Sequence, residues 1–357
     1  MRKLASIRRI SAIADIPGKD RIGLASVDGW RVIVQKKDFA ENGLCVFCEI
    51  DSVLPDKPEF AFLKDKGFRI KTMKMAGCVS QGICFPLSIL PQKKGGWKEG
   101  DDVTEIIGVT QYEPTMDKEP SEPRGKKKYP RWLMRCGWFR SLVLGKKRKG
   151  GFPSFLSKTD EVRIQNCPQM LCENQLWVAT EKVDGQSGTF ALLRHRRHWP
   201  LRDRFEYIVC SRNLRLGVPD NSSYWRVSKR YNIENALRNM IGSRDFIAIQ
   251  GECVAPNVQG NKYKVSEPDL YVFNLIYPTG RLSSLLAKSI IENHGMKFVP
   301  IIDGAVKLPS TVEEVLQMAD GQSALGNTLR EGIVFRSQDG KLSFKAVSNR
   351  FLLHYNE

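Results

Sequence analysis

Residues 111–151 divide the chain. Pro114, Pro120, Pro123 and Pro130 interrupt this stretch, and the clusters Lys126-Lys127-Lys128 and Lys146-Lys147-Arg148-Lys149 load it with like charge, the composition of a linker. The expectation is two folded units, 1–110 and 152–357, joined by a basic linker over 111–151; a chain of 357 residues exceeds one typical domain. Trp132, Trp138 and Phe139 sit between the basic clusters. That alternation suits phosphate contact with base stacking, and equally suits docking of the linker on a domain.

Composition narrows the classes. A hydrophobic content of 41% with 27% charged residues is ordinary for globular protein, whereas a formal net charge of +17 is not. Such an excess gathers polyanions and releases their counterions on binding; its bland reading is a well-solvated basic surface. The longest apolar runs, at 270–277 and 298–302, are broken within ten residues by Pro, Lys or Asp, so no membrane span is expected. The first thirty residues carry charge throughout and lack the apolar core of a secretory signal, which points to the cytoplasm. Nine cysteines, an odd number, suit a reducing compartment, and Cys45 and Cys48 read as strand core rather than metal ligands. His195 and His198 lie among Arg194, Arg196 and Arg197, which disfavours a bound metal and places them at the surface.

In the first unit, short β-branched segments alternate with turn residues. Residues 22–27 and 30–34 around Asp28-Gly29 read as a hairpin, and 44–50, 68–75 and 82–86 as further strands. About five strands in under a hundred residues suggest a small barrel, an OB-type barrel being one such form. In the second unit, 222–241 closed by Gly242 and 283–294 closed by Gly295 read as helices, and Ser310 with Glu313 as a capping box. Strand signals fall at 177–180, 246–251, 270–277, 333–336 and 342–346, so this unit is α+β on antiparallel sheet.

Four of its segments place unusual polar groups at strand ends. Glu181-Lys182-Val183-Asp184-Gly185 follows a strand; its lysine becomes a nucleophile where neighbouring cations or desolvation lower its pKa, since only the neutral amine attacks. Asp184 points to the same side of an extended chain, and Gly185 permits close approach of a ligand. Lys-x-Asp-Gly alone arises by chance on the order of once in ten chains of this length and otherwise marks a plain hairpin. Gln250-Gly251-Glu252 ends a strand in a carboxylate, Glu331-Gly332-Ile333-Val334 begins one with a carboxylate, and Phe344-Lys345 sets a lysine in an apolar strand. Singly these are more often structural. Together they offer an amine, three carboxylates able to hold a hydrated divalent cation and a second cation for a phosphate, the inventory that nucleotidyl transfer needs.

In this order, Lys182-Val183-Asp184-Gly185, Gln250-Gly251-Glu252, Tyr271-Val272-Phe273-Asn274, Glu331-Gly332-Ile333-Val334 and Phe344-Lys345 resemble motifs I, III, IIIa, IV and V of the covalent ligase and capping-enzyme superfamily. Upstream, residues 49–55 and 80–87 resemble the amino-terminal OB domain of the Naegleria-type ATP-dependent RNA ligases, and 159–166 that family's lead-in to motif I. The resemblance implies an OB-type barrel followed by an antiparallel-sheet, ATP-grasp-like nucleotidyltransferase domain.

It also implies a three-step reaction that joins 3′-hydroxyl and 5′-phosphate RNA ends, at nicks in RNA or RNA-containing duplexes, through AMP carried on Lys182. ATP and Mg²⁺ or Mn²⁺ are the implied cofactors, and a monomer the implied form. Phe273 would stack on adenine, Glu181 contact its edge through main chain, and Arg163 and Arg212 contact ribose or phosphates. Lys345 would hold the α-phosphate and help keep Lys182 neutral, while Asp184, Glu252 and Glu331 hold the metal's water shell. Two positions depart from the pattern: Asn274 stands where an acid is usual, leaving Tyr271 as an alternative stacker, and Val347 where a second lysine is usual, with Arg350 nearby.

DNA ligase and capping guanylyltransferase are rival readings, and an OB domain placed after the catalytic domain would suit either better. A nucleic-acid-binding protein with a degenerate ligase domain would keep the charge, linker and barrel. Intact Lys182, Glu252, Glu331 and Lys345 argue against it, because ions in such positions have no other physical need.

Overall fold

The computed structural model of the chain describes residues 3–112, 150–198, 201–217 and 221–355. The expected linker, with its lysine clusters and Trp132, Trp138 and Phe139, lies from 113 to 149 outside them.

The amino-terminal unit is built on Ala5–Arg9 (β1), Ala12–Ile16 (β2), Lys19–Val27 (β3), Trp30–Gln35 (β4), Leu44–Cys48 (β5), Ser52–Val53 (β6), Met73–Met75 (β7), Cys78–Ser80 (β8), Ile83–Phe85 (β9) and Thr110–Gln111 (β10), with one short helix, Thr104–Ile107 (α1). The β3–β4 hairpin turns at Asp28 and Gly29, whose φ values of 48° and 78° are both positive, as a two-residue turn matching strand twist requires. β5 lies between β1 and β9, which explains its almost unbroken apolar run: Cys45, Val46, Phe47 and Cys48 are all fully buried. With Ile7, Trp30, Ile50, Leu54 and Phe60 they form one core. The expected 68–75 strand shrinks to β7. Phe68, left-handed at φ 59° after Gly67, belongs to the turn that ends a 3₁₀ helix at Pro58–Lys66.

The second unit holds two sheets. The larger comprises Gly150–Gly151 (β11), Gln186–His195 (β13), Arg204–Cys210 (β14), Leu214–Arg215 (β15), Phe246–Val254 (β16), Asp269–Tyr277 (β17), Gly280–Arg281 (β18) and Lys297–Phe298 (β19). The smaller pairs Leu176–Lys182 (β12) with Ile301–Lys307 (β20) and with Gly332–Ser337 (β21), which pairs in turn with Ser343–Val347 (β22). Helices Ser223–Arg230 (α2), Ile233–Met240 (α3) and Ser284–Asn293 (α4) cover one face of the larger sheet, where Tyr224, Val227, Leu237 and Ile291 meet Phe190, Leu192, Ile247 and Ile249. Val312–Ala319 (α5) covers one face of the smaller sheet, with Val315 and Leu316 on Trp177, Phe335 and Phe344. Asn349–Tyr355 (α6) closes the described chain. The uncovered faces of the two sheets meet, as the Arg281 Nη2 to Ser343 Oγ hydrogen bond of 3.0 Å shows.

Two helix expectations are corrected. The 222–241 helix is broken between α2 and α3, where Asn232 adopts left-handed φ 45°; asparagine tolerates that conformation, and the apolar periodicity runs across the break undisturbed. The capping box is Thr311 with Glu314, one residue later than Ser310 with Glu313. The two pairs have identical spacing, and burial of Val312 in the core favours the later one.

The two units touch through polar groups. Arg163 Nη2 lies 3.1 Å from Asp51 Oδ2, and Asn166 donates to Glu49 Oε2 at 3.0 Å. Arg8 donates to Glu49 Oε1 at 2.7 Å and to Asn166 Oδ1 at 3.2 Å.

Candidate active site

Period-two alternation prepares the site. Trp177 and Ala179 of β12, Ile333 and Phe335 of β21, and Phe344 and Ala346 of β22 enter the core under α5. Thr180, Lys182, Val334, Arg336 and Lys345 therefore share the opposite face. On β16, Ile247, Ile249 and Cys253 point into the core under α2 and α3, which turns Gln250 and Glu252 toward the smaller sheet.

The β12–β21 ladder sets Lys182 opposite Gly332, so the preceding Glu331 falls beside the lysine. Lys182 Nζ donates to Glu331 Oε2 at 2.6 Å. Glu252 pairs in register with Ser187, whose Oγ donates to Glu252 Oε2 at 3.1 Å. A Cβ on Gly185 would lie 2.6 Å from the Cys253 carbonyl oxygen and 3.0 Å from Glu252 Cγ. The close approach that this glycine permits is thus made by β16 itself rather than by a ligand. The Asp184 carboxylate pairs with Lys262 Nζ at 2.5 Å, with side-chain exposures of 7% and 9%, and its amide donates to the Tyr263 hydroxyl at 2.8 Å. Lys345 donates its amide to Val162 O at 2.8 Å and bridges Arg163 through main chain, so the 159–166 segment runs along the edge of β22.

Burial penalises charge throughout this site, but the shifts differ in sign. Burial, aided by the Lys182 and Arg163 cations, pushes the Lys345 ammonium down to about 7. Burial pushes the Glu252 carboxyl up to about 8, with Lys182 opposing and Glu331 and Asp184 reinforcing. For Lys182 burial acts downward too, yet Glu331, Glu252 and Asp184 outweigh it and raise its pKa. The lysine brought near neutrality by this arrangement is Lys345 rather than Lys182.

A family model described as an OB-fold domain matches residues 4–87, and one described as RNA ligase matches residues 175–350. The fold superposes on Naegleria gruberi RNA ligase with PPi at TM-score 0.80 and 32% identity, covering 99% of this chain and 98% of that one. The chain belongs to the RNA ligase family. A mutant of the Naegleria ligase with ATP and Mn matches this ligase at TM-score 0.80 and 32% identity, covering 98% of each chain. Another mutant, with AMP and Mn, matches at 0.80 and 31%, again over 98% of each. The comparison with curated proteins gives no match. The amino-terminal unit of the ligase is an OB fold, and RNA ligase is the reading chosen among the three enzymes that the sequence left open.

Other residues singled out in the ligase are less central. The guanidinium of Arg163 turns to Asp51 of the OB domain, while its main chain bridges Lys345 and its charge lowers that lysine's pKa. Arg212 pairs with Asp160 at 2.6 Å with both side chains well exposed, and Asp160 feels the charges of Lys345 and Lys182 from the rim. Glu181 points away from Lys182, accepting from Ser323 Oγ and from Ala324 N at 2.9 Å, and its amide donates to Pro300 O at 2.8 Å. Phe273 is the extra residue of a β-bulge in the β16–β17 ladder, where Gln250 pairs with Asn274 but Gly251 with Val272; the Arg336 guanidinium lies 5.7 Å from its ring. Asn274 donates to Gln250 Oε1 at 2.9 Å, so the departure there joins two strands. Tyr271 lies under Lys297, whose Nζ is 5.4 Å from the ring centre. Val347 packs with Phe351 and Leu352, while Arg350 lies exposed on α6.

Among the described residues no three His, Cys, Asp or Glu side chains converge to ligate a metal directly. Asp184 and Glu331 nevertheless lie near enough to Glu252 that both raise its pKa. Sequence reasoning missed Lys262, which claims Asp184, and the buried network in which Glu161 accepts from Arg281 at 3.2 Å, from Arg336 at 3.4 Å and from Ser343 Oγ at 2.5 Å. Arg336 was within reach, because strand alternation from Lys345 and Val334 already assigns it to the site face. Lys262 had no such signal. Among the described residues no helix is long and apolar enough to cross a membrane.

Proposed function

We propose that this RNA ligase is ATP-dependent and seals 3′-hydroxyl to 5′-phosphate RNA ends at nicks in duplexes through AMP carried on Lys182. The observation that carries the reading is one lysine at a strand end, 2.6 Å from Glu331, with Glu252 across the gap between the sheets and Lys345 two strands away. Lys182 Nζ, once deprotonated, attacks the α-phosphorus; a P–N bond forms, a P–O bond breaks and pyrophosphate leaves. The 5′-phosphate oxygen of the RNA next displaces Lys182 from AMP, and the 3′-hydroxyl, losing its proton, then displaces AMP. Lys345, close to Lys182 on the same face, is set to hold the α-phosphate, and Phe273 at its bulge to stack on adenine. Glu181 contacts the adenine edge through main chain, and Arg163 and Arg212 contact ribose or phosphates, as the resemblance implies.

Asp184, Glu252 and Glu331 suit a divalent cation that keeps its water shell, since they do not converge as direct ligands. Mg²⁺ or Mn²⁺ held there would supply charge neutralisation, and a Glu331 occupied in holding it would oppose the effect of burial on Lys182 less strongly. The Naegleria ligase structures with ATP and Mn, with AMP and Mn and with PPi support the nucleotide and metal assignments. We assign residues 1–110 to the OB domain, 111–151 to the linker and 152–357 to the adenylyltransferase domain, acting as a monomer in the cytoplasm.

Incubation with labelled ATP or GTP and nicked RNA or DNA tests the proposal. ATP labelling of Lys182 by peptide mass, lost in Lys182→Ala, with closure of nicked RNA is expected. Labelling by GTP alone, or undiminished labelling of the variant, sinks it.

A further inference from the structure

The arginine-rich end of the β13–β14 hairpin takes no part in the chemistry above. Pairing divides its cations into two groups. Arg194 donates to the Gly242 carbonyl and lies 3.7 Å from Asp203, Arg196 pairs with Asp245 at 2.7 Å, and Arg215 pairs with Glu206 at 2.5 Å. These contacts stitch the hairpin to itself, to β15 and to the turn after α3. Arg197, Arg202 and Arg204 are exposed, and among the described residues no carboxylate forms an ion pair with any of them. Arg197 and Arg204 line an open cavity of about 490 Å³ with His195, Phe205 and Glu206.

The register relates this surface to the reacting groups. Ser187 pairs with Glu252 and His195 with Arg204, and alternation along β13 puts all four on one sheet face. Eight residues at ~3.3 Å each separate the pairs by roughly 26 Å, a span longer than about six base-pair steps of an A-form duplex.

We propose that Arg197, Arg202 and Arg204 form a distal phosphate-docking surface for one arm of the duplex RNA that the ligase seals. The inference rests on the nicked-duplex reading above. Exposed, unpaired guanidinium groups bind phosphate oxygens in bidentate fashion without reading a base. A rigid polyanion is the ligand that reaches both this face and the strand ends; an acidic protein bound here has no link to the chemistry. The surface fixes the register of the duplex on the sheet and makes affinity depend on arm length.

The test uses the full chain and its triple variant Arg197→Gln, Arg202→Gln, Arg204→Gln, with an Arg→Lys triple as the charge-preserving companion. Binding to nicked RNA duplexes with arms of about 6 or about 16 base pairs is measured from about 50 to about 200 mM salt. Adenylylation without RNA reports the integrity of the catalytic site. Three lost phosphate contacts reduce the salt slope by about 2.7, so the variant's deficit on long arms is roughly 40-fold greater at the low-salt end than at the high-salt end. Short-arm binding and adenylylation are expected to stay at wild-type levels, and the lysine triple to recover most long-arm affinity. A Gln variant with unchanged long-arm affinity and salt slope overturns the proposal, as does an equal loss on both arm lengths. If the Gln triple fails to adenylylate, single substitutions carry the same comparison, each with a slope change of about 0.9. Wild-type sealing of nicks with no preference for arm length would overturn the docking surface and leave nick sealing intact, whereas sealing of single strands alone would remove the reading beneath it.

Discussion

Replacing Glu331 by glutamine separates two roles of one carboxylate. In the wild type the 2.6 Å pair keeps Lys182 charged against a burial that acts the other way. Two unit charges ~4 Å apart attract by about 1 kcal/mol in water and about 4 kcal/mol at an effective dielectric near 20. With Lys182 25% and Glu331 13% exposed, an intermediate value of about 2 kcal/mol is appropriate. Glu331→Gln then shifts the amine toward its neutral form by roughly 30-fold at fixed pH below its pKa. Without nucleotide or metal, an amine-acylating reagent scored by peptide mass should label Lys182 about 30-fold faster in the variant. Adenylylation with ATP and Mn²⁺ should move in the opposite direction, falling by about 100-fold or more as a charge-stabilising group is lost. Acylation no faster than in the wild type would show that Glu331 does not govern the protonation of Lys182, and the account of the nucleophile would fail.

Lys345→Met should abolish ATP-dependent labelling and yet stabilise the metal-free protein at pH 6, because a lysine whose folded pKa falls to about 7 is penalised below that pH. The penalty is relieved as pH rises toward the unfolded lysine value, so melting curves of variant and wild type should converge by about pH 10; a constant offset would contradict the shift. Lys262→Met leaves Asp184 buried without its ion-pair partner and should cost about 3 kcal/mol in urea unfolding, most of it recovered by adding Asp184→Asn. Strict additivity of the two changes would deny the coupling. Phe273→Ala should raise the ATP requirement by roughly 5- to 100-fold through lost stacking, while Tyr271→Ala changes it little; the reverse order would move the adenine to Tyr271.

The sequence and the structure agree most where one strand period decides the outcome. Trp177 and Ala179 against Thr180 and Lys182, or Phe344 and Ala346 against Lys345, declare their faces by alternation alone. Nothing local announced that Asp184 meets Lys262. That lysine comes from a loop bent by left-handed Gln259, Asn261 and Lys264, and its partner is 78 positions away. Arg163 is legible from its motif, whereas its bond to Asp51, 112 positions earlier, has no local signal. The charge of Lys182 follows the same rule: motif order gives the company a group keeps, and only distance says that Glu331 and its fellow carboxylates outweigh burial in the absence of a bound cation.

Asp51 and Glu49 grip Arg163 and Asn166 within the short segment whose main chain also borders Lys345. A chimaera taking its front half from a relative would therefore need acids at both places, or the catalytic half would meet its new companion through stranded polar groups. The seam between the halves is inherited as a set.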